Sequence, residues 1–269
     1  MPKKSQTSKI SDYRPISLVT SLYKIIAKVL SGRLRKVLQD TIFLTQGAFV
    51  EGRQILDVVL IANELVDEKR RSREEGVVFK IDFEKTYDHV VWDFLDHVLE
   101  RKGFSSKWRS WMRGCLSLVT FTILVNENAK GWVKAYKGLR QGDPLSPFLF
   151  TLVADVLSKL IVRAEERGLF KGFLVGKNRI WVSHLQFADD TIFFSRASFE
   201  ELHSLKLILL VFGRLLGLRI NLNKSTLSEI NISQDQTARL ASLLECAVFD
   251  WPSSHLGFPL RGNPNSLFF

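Results

Sequence analysis

Cysteine is scarce in this chain, and no apolar run is long enough to cross a bilayer. The two cysteines, Cys115 and Cys246, are far apart and show none of the Cys/His spacings that bind zinc. Core positions for both, no structural metal and a reducing intracellular compartment are therefore expected. The longest apolar stretches end well short of the roughly 20 residues of a spanning helix, so neither a membrane span nor a signal peptide is predicted. Internal repeats, low-complexity segments and linkers rich in proline or serine are also lacking.

What the chain does have is enough apolar residues for a core and an excess of positive charge. It holds 269 residues, 46% of them hydrophobic, which suits one large domain or two closely packed domains. Its net charge of +10 suits a polyphosphate partner such as nucleic acid. A basic solvated surface explains the same charge equally well.

The most informative short segment is an Asp-Asp pair between two apolar stretches. Residues 184–186 and 191–194 have the pattern of short strands, so Asp189 and Asp190 are expected at the tip of a β-hairpin. Taken alone, such a dipeptide is more often a solvated turn. A third acid, Asp82, ends the apolar strand pattern at 77–81, and two strands that end in acids can be neighbours in one sheet.

Repulsion between these acids favours a metal site over a plain turn. Two carboxylates about 4 Å apart repel by roughly 4 kcal/mol at an effective dielectric constant of about 20. The arrangement is therefore costly unless one acid is protonated or a divalent cation lies between them. Ligands that are all oxygen favour magnesium or manganese over zinc.

Two amphipathic helices with basic faces are predicted near the start of the chain. The first is opened by Pro15, and the second runs from about Gln54 towards the break at Gly76. The predicted apolar face of the first comprises Leu22, Ile25, Ile26, Val29, Leu30, Leu34, Val37 and Leu38. The basic residues are Lys24, Lys28 and Arg35 on the first helix and Lys69, Arg70 and Arg71 at the end of the second. Such faces can track phosphates, although a charged stripe is more often only a solvated surface.

The rest of the chain alternates predicted helices with short strands. The elements are helices at 92–102 and 106–116, a hairpin at 119–133 that turns at 126–128, a loop at 138–145, a helix from Ser146 to Gly168, the Asp189 hairpin, a helix from a Ser198 capping box to Gly217 and a strand at 218–222. This order predicts an α+β domain whose sheet is covered by helices on one side.

Six blocks of sequence carry a resemblance to a known family. They are DYRPISL at 12–18, QGAFVEGR at 46–53, KIDFEKTYD at 80–88, GLRQGDPLSPF at 138–148, FADD at 187–190 and GLRINLNK at 217–224. In this order they resemble the blocks of a reverse transcriptase from plant non-LTR (LINE-type) retrotransposons, and the resemblance covers almost the whole chain. The chain departs from the family's usual residues at Thr86, His89, His255 and Arg261.

The resemblance implies the fingers and palm of a right-hand polymerase, with an antiparallel palm sheet flanked by helices. Residues 1–76 would be fingers, truncated at their N-terminal side, residues 77–255 palm, and residues 256–269 the truncated start of a connection to a thumb that is lacking. Without a thumb, weak duplex binding and low processivity are expected. The implied activity is RNA-directed DNA synthesis. The alternative is a catalytically inactive retrotransposon remnant that only binds nucleic acid, and a metal-dependent nuclease is a more distant possibility.

The resemblance also implies a role for individual residues. Asp82, Asp189 and Asp190 would be the catalytic carboxylates that, with the backbone carbonyl of Phe83, hold two magnesium ions, for which manganese is the alternative. The expected nucleotide-binding residues are Tyr87 as the gate against a ribose 2′-hydroxyl, Gln141, Gly142, Arg53 and Lys224. The partners would be an RNA template, a DNA primer and deoxynucleoside triphosphates, with no membrane. Core packing for Tyr87 and plain surface positions for Arg53 and Lys224 remain the alternatives, and nucleus or cytoplasm stays open.

Overall fold

Apolar runs in distant parts of the sequence pair edge to edge to form the central sheet. The computed structural model describes residues 13, 16–118, 120–125, 128–176 and 179–260. Its helices are α1 (Ser21–Thr41), α2 (Ile55–Arg71), α3 (Thr86–His89), α4 (Trp92–Arg101), α5 (Ser106–Ser117), α6 (Ser146–Glu166), α7 (Phe199–Leu216) and α8 (Gln234–Leu244). Its strands are β1 (Gly76–Ile81), β2 (Phe83–Glu84), β3 (Thr120–Val125), β4 (Asn128–Lys134), β5 (Phe173–Val175), β6 (Ile180–Val182), β7 (His184–Phe187), β8 (Asp190–Ser195), β9 (Arg219–Ile220), β10 (Thr226–Ile230), β11 (Ala247–Val248), β12 (Ser253–His255) and β13 (Phe258–Leu260).

The chain divides into two compact units, each built from two separate stretches of sequence. The first unit comprises Met1–Thr41 and Lys85–Leu152, and the second comprises Ile42–Glu84 and Val153–Phe269. These units do not coincide with the boundaries predicted at residues 76 and 255. The division into fingers at 1–76, palm at 77–255 and a thumb connection at 256–269 stays a prediction, and residues 261–269 lie outside the described part of the chain.

The second unit contains a five-stranded sheet in the order β11-β10-β1-β8-β7. β1 pairs antiparallel with both β8 and β10, whereas β10 and β11 run parallel. Val78 packs with α2 on one face, whereas Phe79 lies beside Leu209 of α7 on the other. The expectation of helices on one side is therefore wrong. A strand with consecutive apolar residues, such as Val77, Val78 and Phe79 of β1, needs cover on both faces, because its side chains alternate between them.

Several elements of the second unit, β10 and α8 among them, have no strong signal in the sequence. β10 and α8 were not predicted, although β10 is a direct partner of β1. The predicted cap of α7 is half correct: Ser198 accepts a hydrogen bond from the Glu201 backbone N–H, but the Glu201 carboxylate pairs with Arg196. Cys246 is half-buried and not a core residue, and the same holds for Cys115 in the first unit.

The first unit contains α1, α3 to α5, the β3–β4 hairpin and the start of α6. α1 begins at Ser21, later than predicted, and Pro15 lies outside the described residues. Its buried stripe comprises Ala27, Leu30, Leu34 and Leu38, whereas Leu22, Ile25, Ile26, Val29 and Val37 are exposed. The predicted apolar face is thus only partly correct. Of the predicted hairpin turn at 126–128, residues 126 and 127 lie outside the described residues. Among those that are described, no helix is long and apolar enough to cross a membrane.

Candidate active site

The predicted acidic hairpin is present in the second unit, formed by β7 and β8. Phe187 pairs with Asp190 across a tight turn made by Ala188 and Asp189. Ala188 has a left-handed backbone with φ of 57°, which closes the turn. Asp189 is exposed in the turn and Asp190 is the half-buried first residue of β8.

Asp82 reaches the same end of the sheet from the neighbouring strand. The β1–β8 ladder ends where Ile81 pairs with Thr191, so Asp82 follows directly beside the start of β8. Its backbone is fixed by β9 and the segment after it: the Asp82 carbonyl accepts from the Asn221 N–H at 2.8 Å. The Asp82 N–H donates to the Ser225 hydroxyl at 3.3 Å. The structure therefore brings the three predicted carboxylates to one edge.

The electrostatics of this edge show that the carboxylates repel one another. Burial is the main cause that raises the pKa of Asp190, and the negative charges of Asp189 and Asp82 raise it further, while Lys80 opposes them. Lys224, whose side chain is 71% exposed, lies with its Nζ 3.9 Å from Asp82 Oδ2. An exposed pair at this distance stabilises little, so Lys224 offsets little of the repulsion.

The donor set fits a hard divalent cation by its chemistry. Within the described residues no three acidic, histidine or cysteine side chains converge as a formed metal cage. The available donors are nevertheless carboxylates, which suit magnesium or manganese. Phe83, whose carbonyl was expected to assist, lies in β2 opposite Ile220, with its ring centroid 5.8 Å from that of Phe212. The metal assignment of Asp82, Phe83, Asp189 and Asp190 stays a prediction.

The buried amide of Gln46 holds the acidic turn in place. Gln46 Oε1 accepts from the Ala188 N–H at 3.1 Å and from the Ala48 N–H at 3.0 Å, and the side chain is fully buried. On either side, Gly47 N–H donates to Gln186 O at 2.7 Å, and Gln186 N–H donates to Thr45 O at 2.8 Å. This role of Gln46 was not predicted, although the residue opens one of the six blocks.

A buried polar network supports the same strand from α6. Ser158 donates to the Gln186 amide oxygen at 2.9 Å, and the His184 ring contacts the hydroxyls of Ser158 at 2.9 Å and Ser183 at 3.0 Å. Burial lowers the pKa of His184 to about 4, so the ring is neutral near pH 7. Hydroxyls and a neutral ring can satisfy each other's hydrogen bonds without burying a charge.

Replacing Gln46 by methionine is expected to loosen the acidic turn. The change keeps the volume but leaves the buried Ala48 N–H and the half-buried Ala188 N–H without an acceptor, at a cost of about 2 kcal/mol in the free energy of unfolding. Removal of Gln46 Nε2, which is buried without a hydrogen-bond partner among the described residues, offsets part of this cost. Affinity for Mn²⁺, measured by titration on the folded chain, should fall with it. Thr237→Val is the matched control, because it removes one partly buried hydrogen bond of 2.9 Å, from Thr237 of α8 to Ser233 O in the same unit. Wild-type Mn²⁺ affinity in Gln46→Met would contradict this role.

The predicted nucleotide-binding residues Tyr87, Gln141 and Gly142 lie in the first unit. The Tyr87 ring stacks on Phe150 with centroids 5.0 Å apart, and its carbonyl accepts from Leu139 N–H at 2.6 Å. Gln141 lines a cavity of about 200 Å³. Gly142 has φ of +92°, a conformation that favours glycine.

The loop that carries Gln141 is fastened by a buried ion pair. The Arg140 and Asp143 side chains pair at 2.8 Å, and Tyr23 of α1 donates to Asp143 at 2.6 Å. Arg140 also donates to the Cys115 carbonyl at 2.7 Å. Sequence analysis missed this cluster, since none of its members is unusual in its local sequence. The Gln141 carbonyl is fixed as well, by the Ser17 N–H at 2.9 Å.

The predicted basic residues fall into two groups. Lys24, Lys28, Arg35 and Arg71 are exposed, Arg71 by 82% of its side chain. Lys69 and Arg70 are less exposed: Lys69 pairs with Glu74 at 2.6 Å, and its side chain is only 10% exposed. The Arg70 guanidinium lies 4.9 Å from the Trp251 ring centroid.

Arg53, which was predicted to bind the nucleotide, contacts backbone of its own unit. Arg53 Nη1 donates to the carbonyls of Phe43 and Gln46, at 2.7 and 2.5 Å, and so fixes the loop before α2. Its contact with a triphosphate stays a prediction.

Comparison with known proteins decides the family. The model of the reverse transcriptase (RNA-dependent DNA polymerase) family matches residues 1–253. The chain belongs to the reverse transcriptase family. Among curated relatives, it is 29% identical over 192 residues to an uncharacterized 149 kDa protein of transposon TX1 from Xenopus laevis, covering 71% of this chain and 14% of that protein. It is 28% identical over 193 residues to the Pol polyprotein of the type-1 retrotransposable element R2 from Popillia japonica, covering 71% and 26%.

Two further similarities concern a plant protein and the fold. An uncharacterized mitochondrial protein of Arabidopsis thaliana is 50% identical over 69 residues, covering 26% of this chain and 57% of that protein. The structure of telomerase from Candida albicans with a fragment of telomeric RNA matches with a TM-score of 0.56 at 13% identity, covering 79% of this reverse transcriptase chain and 36% of that one. The predicted α+β fold with polymerase fingers and palm is thereby confirmed. The chain spans only 14% and 26% of the length of the first two relatives.

Proposed function

We propose that this chain is the RNA-directed DNA polymerase domain of a non-LTR (LINE-type) retrotransposon. The observation that carries the proposal is the meeting of Asp82, Asp189 and Asp190 at one edge of the sheet, in a chain of the reverse transcriptase family. Retrotransposon proteins are among its relatives. The 50% identity to the Arabidopsis protein supports an element of plant origin.

The residues at this edge would work as a rigid mount for divalent metal. When bound, two such ions neutralise charge on the reacting phosphate and lower the pKa of the attacking 3′-hydroxyl. Asp82 and Asp189 would hold them, and Asp190 would complete the set. Rigidity comes from the Asn221 and Ser225 contacts to Asp82 and from Gln46. Lys224, beside Asp82, would hold a proton near the departing pyrophosphate.

The proposed substrates are those of RNA-directed DNA synthesis, and three residues of the first unit are proposed to bind them. An RNA template, a DNA primer and deoxynucleoside triphosphates are the expected partners, with Gln141 and Gly142 at the nascent base pair and Tyr87 beneath the incoming sugar. Telomerase, which matches the fold, was solved with an RNA fragment. Magnesium is the proposed ion, with manganese as the substitute.

A primer-extension assay tests the proposal directly. The purified chain is given an RNA template, a labelled DNA primer and deoxynucleotides, with magnesium in one reaction and a chelator in the other. Primer extension that requires magnesium and copies the RNA template would support polymerase activity. Binding of the hybrid without any extension would favour the inactive remnant, and shortening of the strands would favour a nuclease.

Phosphate contacts by α1 predict a steep dependence of affinity on salt. Each lysine that neutralises a phosphate adds about one unit to the log–log slope of affinity against salt concentration. Lys24→Gln with Lys28→Gln should therefore reduce the slope for an RNA/DNA hybrid by about two units. Lys159→Gln with Arg239→Gln, two exposed cations outside the predicted faces, is the matched control. Equal slopes in both double variants would assign Lys24 and Lys28 to the solvated surface.

A further inference from the structure

The β3–β4 hairpin of the first unit presents an aromatic and basic face. Residues that pair across an antiparallel ladder share a face, and Trp132 pairs with Thr122 while Lys134 pairs with Thr120. Since Thr120 and Thr122 are two residues apart, all four lie on the same side. The register shifts after Thr122, which places Lys130 on the opposite face.

The exposure of this face is unusual for its residue types. Trp132 is 76% exposed and Tyr136, just beyond β4, is 80% exposed. Residues 128–137 contain three lysines and no acidic residue, and Lys130 and Lys134 form no ion pair with the described residues. Because most of the Trp132 side chain stays in contact with water, its burial contributes little hydrophobic free energy to folding. It is therefore available for a ligand with flat faces and negative charge.

The hairpin also continues into the proposed nucleotide site of the same unit. Phe121 of β3 lines the cavity of about 200 Å³ that Gln141 also lines, and so do Ala135 and Lys137 from the segment after β4. Lys137 lies with its Nζ 5.8 Å from the centre of the Tyr136 ring. A strand that lies along the hairpin can therefore reach the loop at 138–142 without leaving this unit.

We propose that this hairpin binds single-stranded nucleic acid, with a base stacked on Trp132 and its phosphate beside Lys134. The proposal rests on the proposed polymerase function only in naming the strand, which would be the unpaired template next to Gln141. Single strands fit better than duplex, because every unpaired base exposes a flat face and duplex bases do not. A protein partner is less favoured, since the face holds one large apolar side chain among threonines and lysine.

Fluorescence anisotropy of the full chain with a labelled single-stranded RNA tests this, without magnesium or nucleotides. Trp132→Ala is expected to weaken binding by about tenfold, the loss typical for one stacked base, and Lys134→Gln should lower the salt slope by about one unit. Trp132→Phe should retain most of the affinity because it keeps an aromatic face. Trp181→Ala, which removes a 48% exposed tryptophan from the hairpin of β5 and β6, should bind as wild type. The affinity for single-stranded DNA of the same sequence tests whether the hairpin recognises the ribose. The affinity for a blunt duplex tests whether binding requires unpaired bases that can stack.

The outcomes separate this proposal from the polymerase function. A Trp132→Ala chain that melts like wild type and binds the single strand equally well would overturn the hairpin proposal and favour a protein-facing surface. Equal losses of affinity for the single strand and for the duplex in Trp132→Ala would also overturn the hairpin proposal. If the variant loses single-strand binding but the wild-type chain never extends a primer, the hairpin proposal stands and the polymerase function fails.

Discussion

Asp189→Asn and Asp82→Asn are each expected to abolish primer extension while the fold stays intact. Each change removes the charge of a proposed metal ligand but keeps the side-chain volume. Removing a charge that stabilises the reacting phosphate costs at least about a hundredfold in rate. Asp189 is exposed and Asp82 half-buried, so neither change opens a cavity.

Stability should move in the opposite direction to activity. Burial raises the pKa of Asp190 most, and the negative charges of Asp189 and Asp82 raise it further. Because asparagine at position 82 or 189 removes one of these charges, it should leave the melting temperature unchanged or raise it in metal-free buffer. Asp67→Asn is the matched control, because Asp67 is 47% exposed on α2 of the same unit and only 4.0 Å from Arg71. Extension by Asp82→Asn at the wild-type rate, in magnesium and free of contaminating polymerase, would exclude this site.

The second large effect is expected on sugar selection, through Tyr87. If its ring lies beneath the incoming sugar, Tyr87→Ala opens space for a 2′-hydroxyl, so ribonucleotide insertion should rise while deoxynucleotide insertion stays measurable. A pocket that rejects a hydroxyl by contact discriminates by a few kcal/mol, and opening it should relax selectivity by about tenfold or more. The half-buried ring is held at a fixed angle by its stacking on Phe150, as a gate requires.

Stacking on Phe150 also supports the alternative that Tyr87 is a packing residue. Loss of a packed aromatic ring costs about 3 to 5 kcal/mol, which would lower both insertion rates together. The measurement is the ratio of ribonucleotide to deoxynucleotide insertion efficiency beside a thermal melt. Tyr87→Phe keeps the ring and should leave the ratio near wild type. An unchanged ratio in Tyr87→Ala with a large fall in melting temperature would assign the residue to the core.

Sequence patterns are sufficient to predict the elements whose signals are local. The β7–β8 hairpin follows from alternation on both sides of a two-residue turn, and the start of α7 from Ser198 as its cap. The pairing of β1 with β8 could be predicted because an acid follows the end of β1 and another begins β8. The two strands are neighbours in the sheet. Six ordered blocks indicated the family. Local hydrogen bonds and side-chain alternation act over a few residues, which is why a linear pattern suffices for them.

The faces that are buried and the contacts that support the site could not be predicted from sequence patterns and are known from the folded chain. Apolar residues lie on more than one side of α1. Packing in the folded chain buries the stripe of Ala27, Leu30, Leu34 and Leu38 and leaves the others exposed. β10 is short and its pattern is weak, yet it pairs with β1 along five residues. Gln46 is polar and lies 142 residues before Ala188, the residue it holds. Such contacts depend on chain segments that meet only after folding, since long-range pairing leaves no periodic trace in the sequence.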